Sequence, residues 1–124
     1  IISGVHEPER LCVCLDTAHV FAAGYDIGSE SGVRKTFAQF DQAIGLDRLA
    51  AIHVNDSKTA RDSRVDRHEH IGKGKIGLDA FRFIMRHRRF RKIPKVLETT
   101  KGKDLAEDVA NLKTLRALAD KNDE

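Results

Sequence analysis

The 124-residue sequence lacks most of what would mark a membrane, secreted or fibrous protein. No apolar stretch approaches the roughly 20 residues that a bilayer-spanning helix needs, and no signal-peptide pattern opens the chain. Cysteine is scarce. Cys12 and Cys14 stand two residues apart inside one apolar run, which is no disulfide framework. On a strand they would share a face, and the expected state is a pair of buried, reduced thiols in a cytoplasmic protein. Internal repeats, low-complexity segments and interdomain linkers are also missing. Charge of one sign is weak as well: a formal net charge of +3 permits a polyanionic partner without requiring one. What remains is the composition of an ordinary soluble globular protein, 40% hydrophobic and 33% charged. The chain opens on Ile1 rather than Met, which reads as a cut end.

Three apolar runs are present, each followed by a polar loop and then a helical pattern. Leu11-Cys12-Val13-Cys14-Leu15 ends at Asp16, and five consecutive apolar residues suit a strand buried on both faces. Leu49-Ala50-Ala51-Ile52 leads to His53-Val54-Asn55-Asp56, and Val96-Leu97, entered through Pro94, ends at Glu98. Val33, Phe37, Phe40 and Ile44 predict a helix with Gly45 as its cap. Leu78, Phe81, Ile84 and Met85 predict a second, with Arg86, Arg88 and Arg89 near its C-terminus, where cations favour the helix dipole. Leu105, Val109, Leu112 and Leu115 predict a third, before a polar tail from Lys121 to Glu124. Three strand–helix units imply a parallel sheet with right-handed crossovers. The long loops, Thr17 to Ser31 and Ser57 to Gly77, follow strand C-termini, the end where parallel α/β folds place their sites.

Those strand ends carry acids and imidazoles: Asp16-Thr17-Ala18-His19, His53, Glu98, and Asp66-Arg67-His68 in the second loop. Carboxylates and neutral imidazoles suit zinc, manganese or iron. On extended backbone Asp66 and His68 project to one side and Arg67 to the other, where it could meet an anion. Each residue alone has a plainer reading. A histidine at a strand end can be a hydrogen-bonded rim residue, Asp16 a helix cap, and Glu98 the partner of Lys95 or Lys101. Convergence of six potential ligands on three strand ends and one loop is what favours a metal site. His6, His70 and His87 read as structural or solvent-facing, and the basic run Arg86 to Lys92, with Phe90 its sole aromatic, as a solvated helix face.

Several segments resemble signature regions of the endonuclease IV family, in the family's order and over nearly the whole chain. They are Cys14-Leu15-Asp16-Thr17-Ala18-His19-Val20-Phe21-Ala22-Ala23-Gly24-Tyr25-Asp26, His53-Val54-Asn55-Asp56-Ser57-Lys58, the stretch from Ser63 through Asp66-Arg67-His68 to Gly77, and Leu97-Glu98-Thr99. The resemblance implies an α/β fold: the C-terminal part of a xylose isomerase-like TIM barrel of about three βα units, with residues 1–124 one partial domain. It implies zinc held by His19, Asp66 and His68 at one position and by Asp16, His53 and Glu98 at another, with Asp16 and Glu98 at the reacting centre. A third zinc and a bridging glutamate belong to upstream strands. The implied reaction is hydrolysis of the phosphodiester 5′ to an abasic site in double-stranded DNA, with Arg67, Lys58 and Arg64 as phosphate contacts or loop braces. A metal-dependent sugar isomerase or epimerase on a related barrel, and a non-catalytic fragment, are the alternatives. Three strands cannot close a barrel, so an N-terminal half or self-association is expected to complete the fold.

Overall fold

Each of the three apolar runs becomes a strand of one parallel sheet. The computed structural model describes residues 1–120, and the polar tail from Lys121 to Glu124 lies outside the described residues. The strands are β1 (Val13–Asp16), β2 (Leu49–His53), β3 (Asp56–Ser57), β4 (His68–Glu69) and β5 (Lys95–Val96). The helices are α1 (Thr17–Ala22), α2 (Glu30–Ala43), α3 (Leu78–Arg86) and α4 (Ala106–Ala119). The main sheet runs β1-β2-β5 with both pairings parallel, while β3 and β4 form a separate antiparallel ribbon. Three βα units in sequence make this an α/β fold and a partial barrel.

Helices cover one side of the sheet. Leu15 and Ile52 point there and join a core containing Phe21, Val33, Phe37, Phe81, Ile84 and Leu115. Phe37, Phe83 and Phe90 cluster between α2 and α3, with Phe37 and Phe90 4.8 Å apart between centroids. Ser29 caps α2 by accepting the Gly32 N–H at 3.0 Å, and Gly45, at φ 103°, turns the chain out of that helix. Among the described residues no helix is long and apolar enough to cross a membrane.

The other side of the sheet corrects one expectation. Strand β1 is buried on one face, not two: Leu15 is buried, while Cys14 is exposed, as is Val96 on the opposite edge of the sheet at 46%. Cys12 and Cys14 are therefore free, exposed thiols rather than buried ones. The pleat sends alternate residues to opposite faces, and no described element covers the second face. The apolar residues of that face are the ones a closed barrel would place inside.

Three further departures have local causes. The expected loop after β1 begins with a helix, because the Asp16 side chain accepts the His19 N–H at 3.1 Å and starts α1. The expected loop from Ser57 to Gly77 contains the β3–β4 ribbon. Its turn is tied to the end of α1 by Asp62 N–H to Phe21 O (3.1 Å) and Arg64 N–H to Ala22 O (3.0 Å). Helix α4 buries Asn111, Leu115 and Leu118, and leaves Leu105, Val109 and Leu112 exposed. Of the expected stripe Leu105, Val109, Leu112 and Leu115, only Leu115 faces the core. Asn111 turns inward because its amide is fully used: Oδ1 accepts from Ile71 N, and Nδ2 meets Thr99 Oγ1 and His70 Nδ1.

The basic run is also no continuous helix face. Helix α3 stops at Arg86, and a 3-10 turn over Arg88–Phe90 buries Phe90. Arg86 Nε and Nη2 cap α4 through Leu118 O and Asp120 O, and Arg89 pairs with Asp47 at 3.1 Å.

Candidate metal centre

Strand register brings the first group of side chains together. Asp16 and His53 are paired positions on adjacent parallel strands, and His53 in turn pairs with Val96 of β5. Glu98 lies two residues beyond Val96, so all three acids and imidazoles come to the same C-terminal rim. His53 Nδ1 contacts Glu98 Oε1 directly and lies 3.7 Å from Asp16 Oδ2. Glu98 pairs with neither nearby lysine. Lys95 Nζ donates to the carbonyls of Phe90 and Ile93, and Lys101 pairs with Asp108 at 3.1 Å.

Helix α1 and the ribbon supply the second group. His19 sits in the first turn of α1, with Nδ1 3.2 Å from Asp16 Oδ1. The ties from the ribbon turn to the end of α1 hold Asp66 beside it, and Asp66 Oδ2 is 3.1 Å from His19 Nε2. His68, on β4, brings Nε2 to 3.3 Å from Asp66 Oδ1 and 3.7 Å from Asp16 Oδ2. Two sets of donors lie close enough to share an ion: Asp16 with His53 and Glu98, and Asp16 with His19 and His68. Asp16, only 10% exposed at its side chain, faces both sets rather than one.

His68 is the most telling member. Its Nδ1 lies 3.0 Å from the Glu98 carbonyl, which can only accept, so Nδ1 donates there and in the neutral imidazole Nε2 carries the unshared pair. Nε2 is buried and has no hydrogen-bond partner, the one such side-chain atom among the described residues. A lone pair aimed at two carboxylates is repulsive unless a cation lies between them. The donor set, imidazole nitrogens and carboxylate oxygens, is the one borderline divalent ions prefer. The residues fit a metal. Burial works against a charged His19, yet its hydrogen bond to Asp16 and the charges of Asp16, Asp66 and Glu98 outweigh it and raise its pKa. Burial, followed by the charges of Asp16 and Glu98, pushes the Cys14 thiol up.

The cationic residues singled out in the sequence lie on the ribbon next to this group. Arg67 is exposed and donates from Nη1 to the Asp66 carbonyl. The Lys58 N–H donates to Arg67 O, so these two residues continue the β3–β4 ladder side by side. Arg64, at φ 62°, is held by Asp62 at 2.9 Å and acts as a brace within the turn. His6 is exposed, His70 is tied to Asn111, and His87 accepts from Arg89 N and stacks on Phe90.

Two residues with no role assigned from sequence hold the group in place. Asn55, wholly buried, reaches Asp16 and Glu98, and Thr17 clasps the Asn55 backbone. The sequence carried no signal for them, since a threonine and an asparagine just after a strand also suit a turn.

Comparison with known proteins gives consistent results. Residues 1–118 match the profile of the family described as xylose isomerase-like TIM barrel. The chain is 56% identical over 118 residues to a probable endonuclease 4 of Geobacter sulfurreducens, covering 95% of this chain and 40% of that protein. It is 52% identical over 110 residues to a probable endonuclease 4 of Chloroflexus aurantiacus, covering 89% and 39%. Among solved structures it is similar to endonuclease IV from Thermus thermophilus, with a TM-score of 0.77 and 39% identity over 87% of this chain and 38% of that one. The chain spans about two fifths of the length of the curated relatives it matches.

Proposed function

We propose, from the premise that this chain belongs to the xylose isomerase-like TIM barrel family, that it supplies much of the metal centre of a zinc-dependent endonuclease acting at abasic sites in double-stranded DNA. The observation that carries this reading is the convergence of Asp16, His19, His53, Asp66, His68 and Glu98, with His68 Nε2 buried and unpartnered at its middle. The names of the similar proteins support endonucleolytic cleavage, and the abasic duplex substrate is what the resemblance of the signature segments implies.

Asp16, His53 and Glu98 would hold one zinc, and His19, Asp66 and His68 a second, with Asp16 able to reach both. When bound, such ions generate hydroxide near neutral pH and neutralise charge on a phosphate and its leaving oxygen. The chain's own residues do the rest. The Glu98 carbonyl holds His68 Nδ1 as a donor, so Nε2 faces inward as the ligand atom. Glu98, 46% exposed at its side chain, is open to an attacking water and can take its proton. Lys58 and Arg67, side by side on the ribbon, draw in the phosphate backbone, with Arg64 fixing the turn that presents them. A nucleotide without a base leaves the helix at reduced unstacking cost, which selects for it. Strands beyond the three of this sheet would complete the barrel and add the remaining ligands. Two free cysteines suit a reducing cytoplasm.

A related sugar isomerase would need fewer ions; the His19, Asp66 and His68 set is what favours the nuclease. The test is a graft. Residues 1–118 replace the matching segment of the Geobacter sulfurreducens protein, and cleavage of a duplex with one abasic site is followed with and without chelator. Chelator-sensitive cleavage 5′ to the site is expected. A folded, zinc-loaded graft that leaves the abasic duplex intact would refute the proposal.

A further inference from the structure

Asn55 sits where three strand ends meet, and its side chain is fully committed. Its Oδ1 accepts the Glu98 N–H at 2.7 Å. A backbone N–H can only donate, so the amide's orientation is fixed and its other branch is the NH2 group. Nδ2 therefore donates to Asp16 Oδ2 at 3.2 Å. The backbone of the same residue is clamped: its N–H donates to Thr17 Oγ1 at 2.9 Å, and its carbonyl accepts from that hydroxyl at 2.6 Å. One buried side chain thus joins a carboxylate at the end of β1 to the main chain just beyond β5, across the end of β2.

We infer that Asn55 is a positioning residue for the divalent-ion site, acting through Asp16 and Glu98 without touching the ion. An ionised carboxylate offers about four lone-pair positions. In Asp16 one is used by the His19 N–H and one by Asn55 Nδ2, so the carboxylate can neither rotate nor withdraw, and its remaining positions face the histidines. The Glu98 backbone is set by the same amide, which fixes where its side chain and its carbonyl begin. That carbonyl orients His68, so both donor sets depend on one asparagine. Removal of a residue that orients metal ligands lowers affinity about 10- to 100-fold. The inference rests on the metal reading above.

Asn111 is the natural comparator. It too is a buried amide with every hydrogen bond used, but it touches His70, Thr99 and the Ile71 backbone and none of the six ligands. The experiment measures zinc affinity by competition with a chromophoric chelator, and the visible absorption of the cobalt-loaded chain, for wild type, Asn55→Ala, Asn55→Asp and Asn111→Ala. Asn55→Asp keeps the shape and the acceptor for Glu98 N–H while losing the donor to Asp16, so it stays informative if the alanine variant fails to fold. Expected are zinc binding weakened about 10- to 100-fold in Asn55→Ala, an altered cobalt spectrum in both variants at 55, and a lowered melting temperature with a wild-type cobalt spectrum in Asn111→Ala. Wild-type zinc affinity and cobalt spectrum in the Asn55 variants would overturn the role. So would an equal spectral change in Asn111→Ala, which would make the effect a general loosening. A wild-type chain that binds no zinc would overturn the metal reading itself and this role with it.

Discussion

His68 and His87 illustrate how environment divides one residue type into two roles. His68 is held by a carbonyl at one nitrogen and left bare at the other, among carboxylates. His87 caps a 3-10 turn and stacks on Phe90, among Arg89, Arg34 and Arg88. Replacing His68 by alanine removes a donor shared between Asp16 and Asp66, so the zinc content of the purified protein should fall by one ion per chain and grafted activity should drop by at least about 100-fold; retention of both would rule out its ligand role. For His87 the pKa is lowered, first by burial and then by the three arginines. The unfolded chain then binds more protons than the folded one below about pH 6.5, so stability falls as pH drops through that region. Asn in place of His87 keeps an acceptor at the same point and does not titrate. Thermal melts from pH 7.5 to 5 should show a smaller acid loss in His87→Asn than in wild type. Asp16, His53 and Glu98 were legible in the sequence because each stood at the end of an apolar run, and Asp66 and His68 because they alternate in the loop that follows the second. Asn55 and Thr17 were not, because an asparagine and a threonine beside a strand look like turn residues until both prove fully buried.

At the level of elements, the strand and helix order and the core faces of α2 and α3 could be read from the sequence, whereas the face of α4 and the loop interiors could not. Helix α4 is the clearest case. The leucine and valine spacing from Leu105 to Leu115 predicts a buried stripe, of which only Leu115 is buried, because hydrogen bonds from Asn111 to two separate segments turn that side of the helix inward. Val109→Ala should therefore change stability by no more than about 0.5 kcal/mol, while Leu115→Ala should cost about 2–5 kcal/mol, as measured by denaturant unfolding. Equal costs would mean that the outer face of α4 is covered. The β3–β4 ribbon was missed for a different reason. Two-residue strands carry no periodicity, and what shapes this segment is the buried Asp56 carboxylate, which accepts from Ser57, Gly72 and Ile76 N–H groups at 2.8–2.9 Å. Gly74 packs against it so closely that a Cβ there would lie 2.5 Å from Asp56 Oδ1 and closer still to Ser57 O. Gly74→Ala should displace the loop that follows His68 and lower both melting temperature and zinc affinity.

Among the described residues, the three-stranded sheet has two free edges and one uncovered face. Strands β1 and β5 are each paired on one side only, and Cys14 and Val96 lie open on the face opposite the helices. Unpaired edges beside exposed apolar surface favour association with another chain. Size-exclusion chromatography of the 124-residue chain should accordingly give a species larger than a monomer; a sharply melting monomer would show that the open face is tolerated. The metal centre makes a more specific demand, since it must already exist at one rim of three strands. Its most direct test is anomalous diffraction at the zinc edge from crystals grown with zinc. The account predicts one peak among Asp16, His53 and Glu98 and another among His19, Asp66 and His68. Density maps with no peak at either position, or with zinc bound only elsewhere on the chain, would contradict it.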